Sequence, residues 1–433
     1  MKPPHVLLPA ASLTAVLLAS IAPSAAALAE DRLYENAQVW TGSGFQPGTL
    51  AVRDGYFIAP EEAASDAVRV DLSGHFIVPP YANAHNHLTY ANPAGSWSFA
   101  QHGVFYAWNP NTIIPRDPVA DAAFFERTDS YDVRVSMGGI TEPLGHPEKI
   151  YVEQLSQWVY QGWELEDFLG NAFHYGRTPA EIDASLDLLV EQGAEFVKTY
   201  LLYSEEYDQR SGDEAYYGAA GLNPENFPYL VEAAHARGLP VAVHVQTRAD
   251  ALTAARAGAD MLAHLPAYSI EADSEAIAAT LISAEDAREM AASGIVVVPT
   301  YGVSRRTSIY SQPDPDLLAE TYLAQALNLQ MLNAAGVPIL TGSDGPEEVV
   351  SEIDHWIEIG GMDRIAAYNA LFNTAGYLFP ERAIGRFEPG YEASFLVLSA
   401  DPMDSITALN AIEMRVKQGD LLAAPPSEEE GED

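Results

Sequence analysis

The sequence predicts an α/β fold, a (β/α)8 TIM barrel joined to a small β-sandwich domain built from both chain ends. Three observations favour this fold. Short apolar runs alternate with amphipathic helical stretches over about 300 residues in the middle of the chain. Both ends of the chain contain short strand-like runs separated by glycine-rich turns. Histidine, lysine and aspartate residues follow the middle strands near their carboxyl ends. A doubly wound open sheet is the alternative for the same alternation.

The beginning of the chain is typical of an export signal. Lys2 precedes a mostly apolar stretch, and Ala27-Leu28-Ala29 fits a cleavage site. A membrane anchor is the alternative, but Pro9 and Pro23 interrupt the apolar stretch. We therefore expect residues 1–29 to be removed and the mature protein to be exported, either to the periplasm or to the medium.

Composition limits the expected partners. The chain has 433 residues, of which 61 are acidic and 22 basic, for a formal net charge of -39. Such a field repels nucleic acid and anionic membranes, so the expected partner is a small-molecule substrate. A homo-oligomer is compatible with the sequence. The absence of cysteine excludes disulfides, thiolate metal ligands and a cysteine nucleophile. Residues 425–433 are expected to be a disordered acidic tail.

The two ends of the mature chain share a texture of short strands and turns. Residues 30–78 and 385–424 are expected to form the β-sandwich around a barrel domain of residues 79–384. Glycines are expected in the turns between the first strands, at Gly42, Gly44, Gly48, Gly55 and Gly74. The expected strands are 37–40, 49–52, 56–58, 67–72, 76–78, 394–398 and 412–417.

The middle of the chain reads as repeated strand–helix units. The expected strands are short, continuous and apolar, as in parallel sheets covered on both faces, and comprise 195–200, 240–245, 260–264, 295–300 and 337–341. The expected helices are 228–237, 249–257, 284–293 and 316–335. Each is followed by a glycine suited to end it, at Gly238, Gly258, Gly294 and Gly336.

Four histidines stand where a barrel places its catalytic groups. His85 and His87 follow a strand, and a spacing of two puts both imidazoles on one side of an extended segment. His244 and His264 end two successive strands. Any one of them alone is as consistent with a hydrogen-bonded core residue. Four histidines that converge on one barrel mouth predict a metal site, to which zinc is well suited.

A lysine and an aspartate complete this set. Lys198 lies within an apolar strand, where a bare ammonium is costly. Burial would lower its pKa, so the neutral amine could take up carbon dioxide and bridge two cations as a carbamate. A lysine that snorkels toward solvent is the alternative. Asp344 follows the last strand and could bind a metal and accept a proton, or only cap the next helix.

Taken together, these segments resemble the amidohydrolase superfamily, and the resemblance covers nearly all of the mature chain. The segments that carry it are 71–87, 196–200, 260–264, 342–344 and 384–398. Within that superfamily the pattern is similar to the two-metal branch that includes prolidase-like dipeptidases. One departure is Asn83, which stands where the family usually has an aspartate. A carboxylate contact that supports the metal ligands would then be replaced by a weaker amide contact.

The resemblance implies two divalent metal ions, zinc being the best match, with carboxylated Lys198 as the bridging ligand. The implied terminal ligands are His85 and His87 with Asp344 for the more buried metal, and His244 and His264 for the second. A metal-bridging hydroxide would attack, with Asp344 as the catalytic proton shuttle.

The predicted activity is hydrolysis of an amide or peptide-like C–N bond in a dipeptide or an N-acyl amino acid. Arg305 or Arg306 could grip a substrate carboxylate. Alternatives are a one-metal deaminase of a cyclic amidine, a lactonase or phosphotriesterase-type hydrolase, and a non-catalytic binding protein on the same scaffold. The loop residues expected to line the substrate pocket are Tyr203, Tyr301, Arg305, His146 and His174.

Overall fold

The computed structural model describes residues 30–111, 118–125 and 127–425. The expected export signal at residues 1–29 lies outside the described residues, as do residues 426–433 of the expected acidic tail. In the described part of the chain, no helix is long and apolar enough to cross a membrane.

Seventeen strands are assigned in the described residues and are numbered along the chain. They are β1 (Arg32–Trp40), β2 (Phe45–Arg53), β3 (Tyr56–Ile58), β4 (Val68–Asp71), β5 (Phe76–Val78), β6 (Tyr81–Asn83), β7 (Val104–Asn109), β8 (Asp132–Val135), β9 (Gly139–Thr141), β10 (Phe173–Tyr175), β11 (Val197–Leu201), β12 (Val241–Val245), β13 (Met261–Leu262), β14 (Val296–Val297), β15 (Phe395–Leu398), β16 (Ile412–Lys417) and β17 (Asp420–Leu421).

The α-helices of the described residues surround these strands. They are α1 (Pro93–Ala100), α2 (Pro118–Phe125), α3 (Ser156–Trp158), α4 (Leu165–Phe168), α5 (Pro179–Glu191), α6 (Tyr207–Arg210), α7 (Phe227–Ala236), α8 (Arg248–Ala257), α9 (Ser274–Ala279), α10 (Ala284–Ser293), α11 (Gly302–Ser311), α12 (Pro315–Ala335), α13 (Val350–Glu358) and α14 (Arg364–Leu378). A π-helical segment precedes α3, and short 3₁₀ turns lie at Pro60–Glu62, Ser204–Glu206, Glu214–Tyr216 and Ile406–Asn410.

The two ends of the chain contribute to one eight-stranded sheet, in the order β17-β16-β15-β5-β1-β2-β3, with β4 also paired to β1. β1 pairs antiparallel with β2 on one side and parallel with both β4 and β5 on the other. A bulge between Tyr34 and Ala37 divides β1, so that its first half meets β4 and its second half meets β5. The joint contribution of both ends is as predicted, while the two-layer β-sandwich stays a prediction.

Gly48 corrects one expectation. The sequence places it in a turn, but it lies inside β2, opposite Ala37 at the bulge of β1. A Cβ atom on Gly48 would meet Cγ2 of Val39 at 2.9 Å. The glycine therefore permits close approach of two strands and does not mark their connection.

The middle of the chain forms two parallel sheets, β6-β7-β8 and β10-β9-β11-β12-β13-β14. β8 and β9 are parts of one stretch that breaks at Met137, which adopts a φ of 58°. Because β8 pairs with β7 and β9 pairs with β11, this stretch connects the two sheets.

On the other side, a segment that was predicted as a strand links β14 to the stretch after β6. The amide of Val297 donates to the carbonyl oxygen of Pro338 at 3.0 Å, and Ala84 donates to Thr341 at 2.8 Å. Only an isolated bridge at Ile339 is assigned here. Pro338 has no N–H, and the amide of Thr341 donates to the hydroxyl of Thr374, so a regular ladder cannot extend through this segment.

The predicted helices are confirmed within two residues as α7, α8, α10 and α12. Left-handed glycines end three of them, at Gly258, Gly294 and Gly336. The strands β7, β11 and β12 are buried at every position, as expected of strands covered on both faces. Polar side chains on these strands are therefore held in a nearly dry environment.

A buried ion network fastens the end sheet to the parallel strands. Lys417 of β16 has no exposed side-chain surface, and its Nζ donates to Asp132 Oδ1 at 2.6 Å and to the carbonyl oxygen of Ser130 at 2.6 Å. Asp132 opens β8 and also pairs with Arg382 at 2.6 Å, which in turn pairs with Glu392 at 2.6 Å. Each charge in the network has an opposite partner, as burial requires.

Lys417→Met is expected to lower the free energy of unfolding by about 3 kcal/mol, because it leaves one oxygen of Asp132 buried without its cation. Urea unfolding of the variant measures this loss. The half-exposed Lys149 provides the matched control, and Lys149→Met should change stability by less than about 0.5 kcal/mol. Equal stability of the two variants would contradict the proposed role of the network.

Candidate functional site

The four predicted histidines lie together beside the ends of the parallel strands. His85 and His87 follow β6, His244 lies in β12, and His264 follows β13. Ring centroids are 5.0 Å apart for His85 and His87, 4.4 Å for His85 and His264, and 4.5 Å for His264 and His244. The imidazoles thus form a continuous cluster that joins the segment after β6 to the successive strands β12 and β13, which lie far from it in sequence.

Asp344 adds a carboxylate to this cluster. Its Oδ1 lies 3.4 Å from Nε2 of His85 and 3.2 Å from Nε2 of His87. The ligand atoms of these three residues all lie within 4.8 Å of one another, a spacing that could hold a metal ion. Asp344 adopts a left-handed φ of 51°, and its amide donates to the carbonyl oxygen of His85 at 2.8 Å. Its strained backbone is therefore held in place from the neighbouring strand.

Hydrogen bonds to Nδ1 orient three of the rings, those of His85, His87 and His264. Nδ1 of His85 lies 2.5 Å from the carbonyl oxygen of Ala263, and Nδ1 of His264 lies 2.7 Å from Oγ1 of Thr300. These contacts leave Nε2 of both rings available. Nε2 of His244 is buried and has no hydrogen-bond partner among the described residues. A buried nitrogen of this kind calls for a ligand.

Burial keeps three of the imidazoles neutral. It lowers the pKa of His85, His244 and His264 well below the usual range, and the charge of Lys198 acts in the same direction. Burial by itself would raise the pKa of Asp344, but His85, His87 and Lys198 outweigh it and hold that pKa well below its usual range. His85, His244 and His264 therefore offer neutral imidazoles and Asp344 offers a charged carboxylate, the forms in which these groups bind metals.

Lys198 lies in β11 with only 2% of its surface exposed. It makes no ion pair or hydrogen bond with the described residues, and its Nζ lies 5.5 Å from the ring centroid of Tyr200. Burial lowers the pKa of this lysine to about 7, against the opposing effect of Asp344. A substantial fraction of the amine is therefore neutral and nucleophilic at neutral pH.

These donors fit a divalent metal centre. Imidazole nitrogens and a carboxylate are ligands that zinc prefers, and manganese, cobalt and iron accept the same set. The buried Nε2 of His244 supports this fit, because it has no hydrogen-bond partner among the described residues. The number and identity of the metals belong to the proposal below.

Several residues that support the cluster were missed in the sequence. The carbonyl oxygen of Asn111 lies 3.2 Å from Nδ1 of His87, and its side chain donates to the hydroxyl of Tyr200 at 2.6 Å. Asn111 and Thr300 both have left-handed backbones, with φ of 101° and 53°. Both follow the carboxyl end of a strand, and that position is the only sequence signal that marked them.

Asn83 has a different role from the one expected. Its Oδ1 accepts from the amides of His85 and Ser343 at 3.2 and 3.1 Å, and its Nδ2 donates to the Ser343 hydroxyl at 2.9 Å and the Pro346 carbonyl at 3.2 Å. It joins the backbone segments that carry His85 and Asp344. An aspartate could not donate these bonds, so the amide suits this position.

One predicted substrate residue, His146, lies beside the cluster, and a second, Tyr203, follows the strand that carries Lys198. The ring of His146 is 4.5 Å from that of His244 and 5.1 Å from that of Tyr200. Tyr203 is half-buried, follows β11 with a left-handed φ of 50°, and stacks under Arg210 at 3.7 Å. Both remain candidates for contact with a substrate.

The structure corrects two other predictions for the pocket. Tyr301 is fully buried, and its hydroxyl donates to the carbonyl oxygen of Pro266 at 3.1 Å, so it belongs to the core. Arg305 pairs with Asp354 at 3.1 Å and Glu358 at 3.2 Å, both on α13. Its position in α11 turns it toward that helix, where acidic partners already hold the guanidinium.

The contact of His174 with a substrate stays a prediction. It is 3% exposed on β10, the edge strand of its sheet, and its Nε2 has no partner among the described residues. Arg306 approaches the cluster more closely than Arg305, but Nη2 donates to the backbone carbonyl of Ser343 at 2.7 Å. The predicted arginine clamp for a carboxylate is therefore engaged with the protein itself.

Comparison with known proteins gives a shared fold. No protein-family model and no curated protein matches the chain. A. niger ochratoxinase is 19% identical with a TM-score of 0.68, covering 90% of this chain and 95% of that one. A solved amidohydrolase is 18% identical with a TM-score of 0.66, covering 92% and 100%. A Xaa-Pro dipeptidase with bound methionine is 17% identical with a TM-score of 0.68, covering 90% and 99%. The predicted resemblance to amidohydrolases is thus confirmed at the level of the fold.

Proposed function

We propose that this chain is a metal-dependent amidohydrolase that cleaves an amide or peptide-like C–N bond in a dipeptide or N-acyl amino acid. The observation that carries the proposal is the buried cluster of histidine rings with Asp344, beside a lysine that has no partner among the described residues. A fold shared with a Xaa-Pro dipeptidase supports the choice of bond.

The proposal includes the domain organisation expected from the sequence. The two parallel sheets and the segment around Ile339 would close into a (β/α)8 barrel within residues 79–384. Residues 30–78 and 385–424 would form the β-sandwich. The backbone hydrogen bonds of Ala84 and Leu340 with their neighbours support closure, because they join the strand ends of the two sheets.

The cluster would hold two divalent metals, and Lys198 would join them. The neutral Nζ of Lys198 would attack the carbon of carbon dioxide, forming an N–C bond while the π electron pair of one C=O bond moves onto its oxygen. The nitrogen then releases one proton, and the resulting carbamate anion offers two oxygens. Divalent metals bound here would supply Lewis-acid chemistry, lowering the pKa of water and polarising a carbonyl oxygen. The proposed terminal ligands are His85 and His87 with Asp344, and His244 with His264.

Asp344 would move the proton of the reaction. Its carboxylate is charged at neutral pH, so an oxygen can accept the proton of the attacking water and return it to the leaving nitrogen. His146 and Tyr203 are proposed to contact the substrate, since the ring of His146 lies 4.5 Å from that of His244 and Tyr203 follows β11, which carries Lys198.

Metal removal tests this function. Protein purified without chelator should carry about two equivalents of zinc or a related metal per chain and hydrolyse dipeptides or N-acyl amino acids. Dialysis against a strong chelator should abolish hydrolysis, and added zinc should restore it. Elemental analysis and amine release measure both effects. Activity that survives complete metal removal would contradict the proposal, and one equivalent with ammonia release would favour a deaminase.

Export is part of the same proposal, with cleavage after residue 29. The supporting observation is the sequence of the first residues, which lie outside the described structure. Amino-terminal sequencing of the mature protein should begin at Glu30, and a chain that retains Lys2 would contradict cleavage.

A further inference from the structure

One buried carboxyl near the histidine cluster is not used by the proposed mechanism. Glu271 lies in the loop after β13 and is 8% exposed. Its Oε1 accepts from Nε2 of Gln246 at 2.8 Å and lies 3.5 Å from Oγ of Ser269. Its Oε2 has no hydrogen bond, and the side chain has no ion pair, with any of the described residues. This oxygen is not among the fully buried side-chain atoms that lack a partner, so it keeps accessible surface through which a ligand could reach it.

Glu271 follows, by three positions in the chain, a tyrosine that packs on the cluster. Tyr268 stacks on His264 with a centroid distance of 4.2 Å and meets His244 edge-on at 5.5 Å. Burial first, and then the charge of Glu271, raise the pKa of Tyr203 to about 12, and both also raise the pKa of Tyr268. The charge of Glu271 therefore acts on Tyr268, the tyrosine that packs against the candidate site.

Gln246 gives a second link to the site. It follows His244 by two positions at the end of β12, where alternate residues share a face. Its amide holds Oε1 of Glu271 and so fixes the carboxyl on the side of the strand that carries His244. Burial raises the pKa of Glu271 to about 7, consistent with a carboxyl that lacks a cation.

The arginines of this region are already engaged. Arg210 pairs with Glu206 at 2.8 Å and stacks on Tyr203, and Arg305 and Arg306 make the contacts described above. Glu271 therefore has no ion-pair partner among the described residues, whereas these three arginines are already held by other groups of the protein. This charge pattern selects a positive group in a ligand.

We propose that Glu271 is a specificity-determining residue that binds an alkylammonium group of the substrate. The inference rests on the proposed hydrolase function and narrows its substrate class. The ammonium could come from the free amino terminus of a dipeptide or from a lysine-like side chain. Both sources offer the same N–H donors to the free oxygen of Glu271.

The test compares Glu271→Gln with wild type on four substrates. They are lysyl-alanine, norleucyl-alanine and the α-N-acetylated form of each. Gln retains the oxygen that accepts from Gln246, so the fold should be kept, and metal content checks this. Loss of the ion pair should reduce kcat/KM about 10- to 100-fold on substrates with the recognised ammonium and about twofold or less on the others. Glu275→Gln, at an exposed position nearby with the same charge change, should act like wild type.

The set of substrates on which Glu271→Gln loses kcat/KM identifies the source of the ammonium. Dependence on Glu271 that disappears on acetylation assigns the amino terminus, and dependence confined to lysine substrates assigns the side chain. If Glu271→Gln changes kcat/KM by the same factor on all four substrates, the inference is overturned, while the proposed hydrolysis stands. If wild type cleaves none of the four, calorimetric titration with butylammonium chloride decides separately. Equal binding to wild type and Glu271→Gln would overturn the inference, and binding lost only in Glu271→Gln would support it.

Discussion

Lys198→Ala is expected to lower kcat/KM at least about 1000-fold and to reduce bound metal below two equivalents per chain. The lysine is buried, lacks a partner among the described residues, and has its pKa lowered by burial to about 7. Its removal takes away the group proposed to join the two metals. Elemental analysis and steady-state kinetics on the same preparation measure both effects together.

A matched control and a rescue experiment sharpen this result. Lys149 is 43% exposed and pairs only loosely with Glu153, at 4.0 Å, so Lys149→Ala should keep full metal content and activity. Formate or acetate should partly restore Lys198→Ala, because a small carboxylate can occupy the space of the missing carbamate. Unchanged metal content and activity in Lys198→Ala would instead point to the one-metal deaminase or to another chemistry.

Asp344→Asn should reduce kcat about 1000- to 10,000-fold and change KM much less. The amide keeps the shape of the side chain but loses the charge and the basic oxygen that the proposed proton transfer requires. One oxygen remains near His85 and His87, so metal content should fall less than in Lys198→Ala. Steady-state kinetics that extend to saturating substrate separate the change in kcat from the change in KM.

Asp354→Asn provides the comparison for this variant. Asp354 carries the same charge on α13 but pairs with Arg305 outside the histidine cluster, so its substitution should change kcat by less than about twofold. If Asp344→Asn raises KM and leaves kcat unchanged, Asp344 is assigned to substrate binding and its role in proton transfer is refuted.

Local patterns in the sequence were sufficient for most of the secondary structure. Helix α10 runs from Ala284 to Ser293 as predicted, because Ser283 caps its start and Gly294 takes the left-handed conformation at its end. Strand limits were less predictable. The expected strand 260–264 is assigned only as Met261–Leu262, because strand length depends on pairing with neighbours that lie far away in sequence.

The candidate ligands could also be found in the sequence, because each lies at a strand end and parallel strands bring those ends together. The surrounding contacts could not. Arg305 and Arg306 are adjacent in the chain, yet one meets α13 and the other meets the carbonyl of Ser343. The burial of Glu271 and the role of Asn111 likewise depend on side-chain direction and on partners in distant segments. The spacing of residues thus determined which groups meet, while tertiary packing decided which remain free to bind a ligand, since free and engaged side chains differ only in their non-local neighbours.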